Sequence, residues 1–131
     1  MPHLILEYSD NLAAPLDHQR LFAELHAALE RVGVFQLAEI KSRAVAYQHH
    51  RVGTGSQDSV FVHLTIAILS GRDLAVRQQL SSALLDVLRR AFAETWAQRP
   101  CDLTVDVREM QRETYGKAMN PAASAIAAHN T

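Results

Sequence analysis

The chain has only one cysteine, Cys101, among its 131 residues. A single cysteine cannot form a disulfide within the chain, and a reducing cytoplasm is the simplest setting for such a sequence. Cys101 alternates with apolar residues at positions 103, 105 and 107. We therefore interpret it as a small packing residue on a strand and not as a nucleophile.

The sequence also lacks a surplus of charge. Its formal net charge is -1, and no long block of like charge occurs. Nucleic acids and anionic membranes select basic faces, so we expect neither as a partner. No apolar run reaches the length of a membrane span, and no basic segment followed by an apolar run suggests a secretory signal.

A metal site is not expected either. The pair His49-His50 is the most suggestive feature, but adjacent side chains point in opposite directions in an extended chain. No cluster of cysteines or carboxylates accompanies the pair at a spacing that zinc would require. The sequence therefore predicts no metal ligands.

The residues that are present indicate one globular domain over residues 1–131. Apolar residues make up 48% of the chain and charged residues 21%, which is typical of a protein with a hydrophobic core. Apolar periodicity predicts these elements in chain order: a strand at 2–8, a helix at 15–32, strands at 38–48 and 59–69, a helix at 74–97, and a strand at 101–109.

This order is β-α-β followed by β-α-β, with pseudo-repeat halves at about 2–48 and 59–109. The natural architecture is an α/β (α+β) fold with a four-stranded sheet and two antiparallel helices on one face. Other copies of the chain are the expected cover for the second face. The weakly patterned tail, 118–131, is either a short helix or a frayed end.

The amino terminus carries the most informative chemistry. Methionine before a small residue such as Pro2 is normally removed, which leaves a chain that begins with a free secondary amine. In an apolar pocket among cations, the ammonium form of that amine is disfavoured and its pKa falls. A base with a pKa near neutrality is suited to proton transfer beside a carbonyl.

Several segments together resemble the 5-carboxymethyl-2-hydroxymuconate isomerase family of the tautomerase superfamily. The segments are Met-Pro-His-Leu-Ile-Leu-Glu-Tyr-Ser-Asp-Asn at 1–11, Gly-Val-Phe-Gln-Leu-Ala at 33–38, Ile-Lys-Ser-Arg at 40–43, Phe-Val-His-Leu-Thr at 61–65 and Gly-Arg-Asp-Leu-Ala-Val-Arg-Gln-Gln at 71–79. The resemblance spans most of the chain up to residue 80, and the last third matches mainly in pattern.

The resemblance implies a tandem β-α-β fold, a homotrimer, and catalysis without a metal or an organic cofactor. It implies an unsaturated hydroxy- or oxo-acid substrate with several carboxylates, formed after ring cleavage in homoprotocatechuate degradation. Pro2 corresponds to the family's catalytic acid and base. Lys41, Arg43 and Arg72 correspond to the cations that bind substrate carboxylates. Lys41 replaces a family arginine, and lysine lacks the planar fork that binds a carboxylate bidentately.

The residues support these roles independently of the resemblance. Lys41 and Arg43 project from one side of one predicted strand, and Arg72 precedes a helix, where backbone N–H groups also favour anions. Phe35 either forms an apolar wall of the pocket or packs in the core. The tail residues Tyr115 and Lys117 are within possible reach of a neighbouring subunit's site.

Each residue also has a plainer interpretation. Pro2 alone is compatible with simple processing of the terminus, Arg43 with an ion pair across the sheet, and Arg72 with a solvated helix start.

Two rival functions remain. One is a tautomerase-superfamily enzyme acting on a different unsaturated oxo-acid, which the Lys41 departure favours. The other is a non-catalytic trimeric binding module.

Overall fold

The computed structural model describes residues 1–130, with side chains through residue 125. The strands and helices are β1 (His3–Ser9), α1 (His18–Val32), β2 (Lys41–Tyr47), β3 (Val60–Leu69), α2 (Leu74–Ala91), α3 (Ala93–Gln98), β4 (Cys101–Met110) and α4 (Pro121–Asn130). Two short 3-10 turns, Leu37–Glu39 and Arg112–Thr114, lie in the connections.

The four strands form one sheet in the order β2-β1-β3-β4. β1 pairs in parallel with β2, and β3 pairs in parallel with β4, while β1 and β3 are antiparallel. Each parallel pair is joined by a helix, as a parallel connection requires. The two β-α-β halves therefore lie side by side, which confirms the predicted fold class.

The hydrophobic core lies between the sheet and helices α1 and α2. Burial alternates along β3 with a period of two, so residues 60, 62, 64, 66 and 68 are buried against the helices. β1 contributes Leu4, Leu6 and Tyr8 to the same face. The opposite face of the sheet, which we call the open face, includes positions 3, 5 and 7 of β1 and their partners on β2 and β3.

Helix α1 differs from its prediction at the start. Asp17 is the N-cap residue, and its side chain accepts a hydrogen bond from the Arg20 amide at 3.1 Å, so the helix begins at His18 and not near Pro15. The predicted end is confirmed. Gly33 follows the helix with φ 88°, a left-handed conformation that costs glycine little.

The strand predicted at 38–48 begins later, at Lys41. The backbone at Leu37–Glu39 instead forms a 3-10 turn, closed by a hydrogen bond from the Ile40 amide to the Leu37 carbonyl at 3.2 Å. Apolar residues in this segment suggest a strand, but Ile40 directly follows the turn, is buried, and does not pair with a neighbouring strand. The turn places Glu39 beside the amino terminus.

The helix predicted at 74–97 is two helices, α2 and α3, separated at Phe92. Phe92 has φ -106° and ψ 21°, and its side chain is buried. Thr95 of α3 is also buried, and its hydroxyl accepts a hydrogen bond from the Ala13 amide at 3.1 Å. Tertiary contacts therefore cause this break, and no glycine or proline in the sequence predicts it.

Of the two alternatives for the alanine-rich end, a short helix or a frayed end, the structure has the helix, α4 at Pro121–Asn130. Residue 131 lies outside the described residues. Across residues 1–130, no helix combines the length and hydropathy that crossing a bilayer demands.

Candidate active site

Pro2 lies immediately before β1, where that strand meets β2. Its side chain is buried, and its carbonyl accepts a hydrogen bond from the Lys41 amide at 3.2 Å. This bond extends the parallel pairing of β1 and β2 by one step. The pairing fixes the amino terminus beside the first residue of β2, so Pro2 and Lys41 are neighbours, as a shared site requires.

The terminal amine of the chain, on Met1, lies in a partly buried and mostly cationic environment. Burial is the main cause that lowers the pKa of this ammonium group. The carboxylate of Glu39, whose Oε2 is 3.9 Å away, opposes that shift. Arg72, Lys117 and Lys41 lower the pKa further. Three cations thus act on the position from which the chain begins.

Arg72 is held in place by backbone and aromatic contacts. Its guanidinium donates to the carbonyls of Leu69 at 3.3 Å and Val34 at 3.2 Å. Its central carbon lies 4.6 Å from the centre of the Phe35 ring. Such a cation–π contact fixes the planar group while leaving further N–H donors for a ligand. The structure therefore places Phe35 and Arg72 in contact, with Phe35 itself buried.

Arg43 lies on the open face of the sheet, two positions beyond Lys41. Its guanidinium donates to Nδ1 of His3 at 3.3 Å. The plainer interpretation expected Arg43 to pair with a carboxylate across the sheet. Among the described residues, Arg43 forms no such ion pair. Burial lowers the pKa of His3, and Arg43, Lys41 and the terminal amine lower it further.

A cleft of about 450 Å³ opens between the Leu37–Glu39 turn and the tail of the chain. Its lining combines a few charged and polar side chains with apolar ones: Ala38, Glu39, Lys41, Tyr115, Lys117, Ala118, Met119, Asn120 and Ala123. Lys117 Nζ lies 3.0 Å from the sulfur of Met1, so the cleft lies next to the amino terminus. Of the predicted site residues, only Lys41 lines this cleft directly.

Three residues around this terminus were not among the predicted site residues: Glu39, Tyr115 and Lys117. The sequence predicts a strand at Glu39, and a strand gives this side chain no reason to face the terminus. For Tyr115 and Lys117, which lie in an unpatterned tail, the sequence suggests only a neighbouring subunit's site. In the structure they reach the amino terminus of their own chain.

Within the part of the chain that the structure describes, no three or more His, Cys, Asp or Glu side chains are grouped so that they could hold a metal ion.

Comparison with known proteins agrees with the sequence resemblance. A family model for 5-carboxymethyl-2-hydroxymuconate isomerase matches residues 2–124. The chain belongs to this isomerase family. The 5-carboxymethyl-2-hydroxymuconate Delta-isomerase of Escherichia coli is 34% identical over 110 residues, which cover 84% of this chain and 87% of that protein. The prediction that the chain is an isomerase is therefore confirmed.

Solved structures of the isomerase family share the fold. A 5-carboxymethyl-2-hydroxymuconate isomerase from Deinococcus radiodurans R1 superposes with a TM-score of 0.85 at 32% identity, covering 98% of this chain and 92% of that one. A fused 4-OT, described as a symmetric trimer, has a TM-score of 0.72 at 16% identity, with 93% and 98% covered. The second likeness shows the tautomerase-like fold alone.

Proposed function

We propose that this isomerase converts 5-carboxymethyl-2-hydroxymuconate without a cofactor, using Pro2 as general acid and base. The observation that carries the proposal is the environment of the Met1 amine, next to Pro2, where burial and three cations lower the pKa against the opposing effect of Glu39. The substrate is the one named for the Escherichia coli and Deinococcus radiodurans relatives. The single cysteine suits a reducing cytoplasm as the place of action.

The proposed base forms when Met1 is removed. The terminal amine is then that of Pro2, one residue closer to β1 and attached to a buried ring. A buried amine near cations stays neutral at lower pH than an exposed one, because charging it is costly. A neutral amine can accept a proton at physiological pH, and its conjugate acid can return the proton afterwards.

The reaction itself balances within the substrate. Pro2 accepts a proton from the enol hydroxyl or from a carbon acid, which leaves a dienolate-like anion. The prolinium then gives a proton to a distant carbon of the conjugated system, so a double bond moves and nothing is oxidised or reduced. The nearby cations Arg72 and Lys41 stabilise the developing negative charge and hold substrate carboxylates.

Arg43 is proposed to bind the substrate from the open face. Its guanidinium is exposed and uses one donor on His3, so other N–H groups remain for a carboxylate. Phe35 is proposed to act through Arg72. Its ring packs against the Arg72 guanidinium, and it is too buried to offer the substrate a wide contact surface.

Glu39 offers a test of how the environment sets the base. Its carboxylate raises the pKa of the Met1 amine. We expect the same effect on the Pro2 amine once Met1 is removed, so Glu39→Gln lowers the pKa of the proposed base. Only the neutral amine accepts a proton, and the acid limb of the kcat/KM profile therefore moves to lower pH. The pH dependence of kcat/KM is measured for wild type, Glu39→Gln and Glu24→Gln, whose carboxylate pairs with Arg20 on α1 instead. An acid limb that moves to higher pH in Glu39→Gln, or moves equally in Glu24→Gln, would contradict this role.

The substrate is tested with the purified protein and a panel of unsaturated dicarboxylates and tricarboxylates. Ketonisation of 5-carboxymethyl-2-hydroxymuconate is followed by ultraviolet absorbance, and kcat/KM is compared across the panel. The proposal expects this compound to give the highest value. A different oxo-acid in first place would favour the alternative that Lys41 suggests, and no turnover at all would favour a binding module.

We also propose that the isomerase is a homotrimer whose open sheet faces are covered by neighbouring copies. Some polar groups there are paired within the chain: Tyr47 donates to Glu7 at 2.6 Å, and His63 lies 2.6 Å from the Thr104 hydroxyl. Apolar side chains remain on the same face: Ile5, Val45 and Phe61. Val45 is 45% exposed, and together with Ile5 and Phe61 it gives this face apolar surface that a neighbouring copy could bury.

Val45→Asp tests this arrangement because it places a charge in the covered face. We expect wild type to sediment with three times the mass of one chain and Val45→Asp to dissociate toward monomers. Ala23→Asp, on the exposed surface of α1, keeps the wild-type mass. A wild-type protein that sediments as a monomer would overturn the proposed trimer.

A further inference from the structure

The tail of the chain brings a tyrosine to the amino terminus. Tyr115 follows the Arg112–Thr114 turn, and its hydroxyl oxygen lies 2.9 Å from Nε2 of His3. The two rings meet edge to face, with centres 6.2 Å apart and planes at 61°. His3 is the first residue of β1 and directly follows Pro2. This contact therefore joins the tail to the end of the strand where the proposed base lies.

The direction of the hydrogen bond follows from Arg43. A guanidinium can only donate, so Nδ1 of His3, at 3.3 Å from it, must be the accepting nitrogen. In neutral histidine the hydrogen is then on Nε2, which donates to the Tyr115 oxygen. Burial and the neighbouring cations lower the pKa of His3 and keep the ring in this neutral form.

The hydroxyl hydrogen of Tyr115 is therefore not used in its bond to His3. Among the described residues, Tyr115 has no other side-chain hydrogen-bond partner. Its side chain is partly buried and lines the 450 Å³ cleft together with Lys41 and Lys117. The free hydrogen is thus available to a ligand in that cleft.

We propose that Tyr115 donates a hydrogen bond to the substrate oxygen on which negative charge develops, and that His3 is the positioning residue for this hydroxyl. The inference rests on the function proposed above. Lys41 and Lys117 match full carboxylate charges in the same cleft. A neutral hydroxyl suits an oxygen that is uncharged in the substrate and partly charged in the transition state. The hydrogen stays on Tyr115 throughout, so the proton balance of Pro2 is unchanged.

Tyr115→Phe removes only the hydroxyl, and we expect kcat to fall about 100-fold with little change in KM, as for the loss of one oxyanion donor. Tyr8→Phe is the matched control, because its hydroxyl bonds to His18 at 2.7 Å on the helix side of the sheet. That control keeps wild-type kcat. Thermal melts of both variants check that they are folded. A wild-type kcat in Tyr115→Phe, or a loss confined to KM, overturns the inference.

The role of His3 is tested by a double-variant cycle. If His3 acts through Tyr115, His3→Phe lowers kcat, and the double variant with Tyr115→Phe loses no more than Tyr115→Phe alone. Losses that multiply would contradict a positioning role. Pro2→Ala, assayed in parallel, distinguishes failure of the Tyr115 inference from failure of the proposed function. An inactive Pro2→Ala with a fully active Tyr115→Phe removes this inference alone, whereas a fully active Pro2→Ala removes the proposed function itself.

Discussion

Pro2→Ala lowers kcat for 5-carboxymethyl-2-hydroxymuconate by about 100-fold or more, the range typical of a lost general acid and base. The variant still begins with an amine, but a primary one without the ring that is buried before β1. The ring and the hydrogen bond from the Lys41 amide to the Pro2 carbonyl, at 3.2 Å, hold the proposed base in position. Alanine keeps the carbonyl and loses the ring.

Stopped-flow ultraviolet assays of wild type, Pro2→Ala and Pro15→Ala make this comparison. Pro15 is exposed in the loop before α1, so its substitution leaves kcat unchanged. Intact mass must show the same processing of the terminus in all three proteins. Equal kcat in wild type and Pro2→Ala would contradict the proposed need for the secondary amine of the proline ring.

Arg72→Ala lowers kcat/KM by about 100-fold or more, because a positioned cation that stabilises developing charge contributes several kcal/mol to the transition state. The guanidinium is fixed by two carbonyls and by the Phe35 ring, so its direction is set before substrate binds. Arg72 also lowers the pKa of the Met1 amine, and we expect the same effect on the Pro2 amine that replaces it. Its loss therefore affects both substrate binding and the base.

Two further variants give this experiment its controls. Arg72→Lys keeps the charge but lacks the planar fork, so we expect an intermediate kcat/KM. Arg89→Ala removes an exposed arginine of α2 whose pairing with Asp86 spans 3.9 Å, and wild-type activity is expected. The pH profile adds a second readout, since Arg72→Ala raises the pKa of the terminal amine and moves the acid limb to higher pH. Wild-type kcat/KM in Arg72→Ala would remove Arg72 from the site.

Much of the fold was predictable because its signals are local and periodic. β3 alternates in burial along its whole length, and Gly33 ends α1 in the one conformation that favours glycine. The break at Phe92 was not predictable, because no local residue disfavours a continuous helix there. It depends on the burial of Phe92 and on the contact of Thr95 with a distant loop.

The candidate site likewise contains residues that the sequence predicts and residues that it does not. Pro2, Lys41 and Arg72 occupy sequence positions with a strong motif context, and the structure sets the two cations near the amine. Glu39 is outside the prediction, and Tyr115 is predicted only to reach a neighbouring subunit's site. Their positions depend on how a 3-10 turn and an unpatterned tail fold back onto β1. Periodicity along a chain carries no information on such long-range contacts.

The proposed mechanism depends on a free proline amine in the active protein. The decisive measurement is the intact mass of the purified isomerase together with its turnover of 5-carboxymethyl-2-hydroxymuconate on the same sample. We predict a mass lower than that of the full sequence by one methionine, with rapid turnover. Preparations that differ in the fraction of retained methionine differ in kcat in proportion to the processed fraction. Full turnover by chains that keep Met1, in which the Pro2 nitrogen is an amide, would contradict the mechanism.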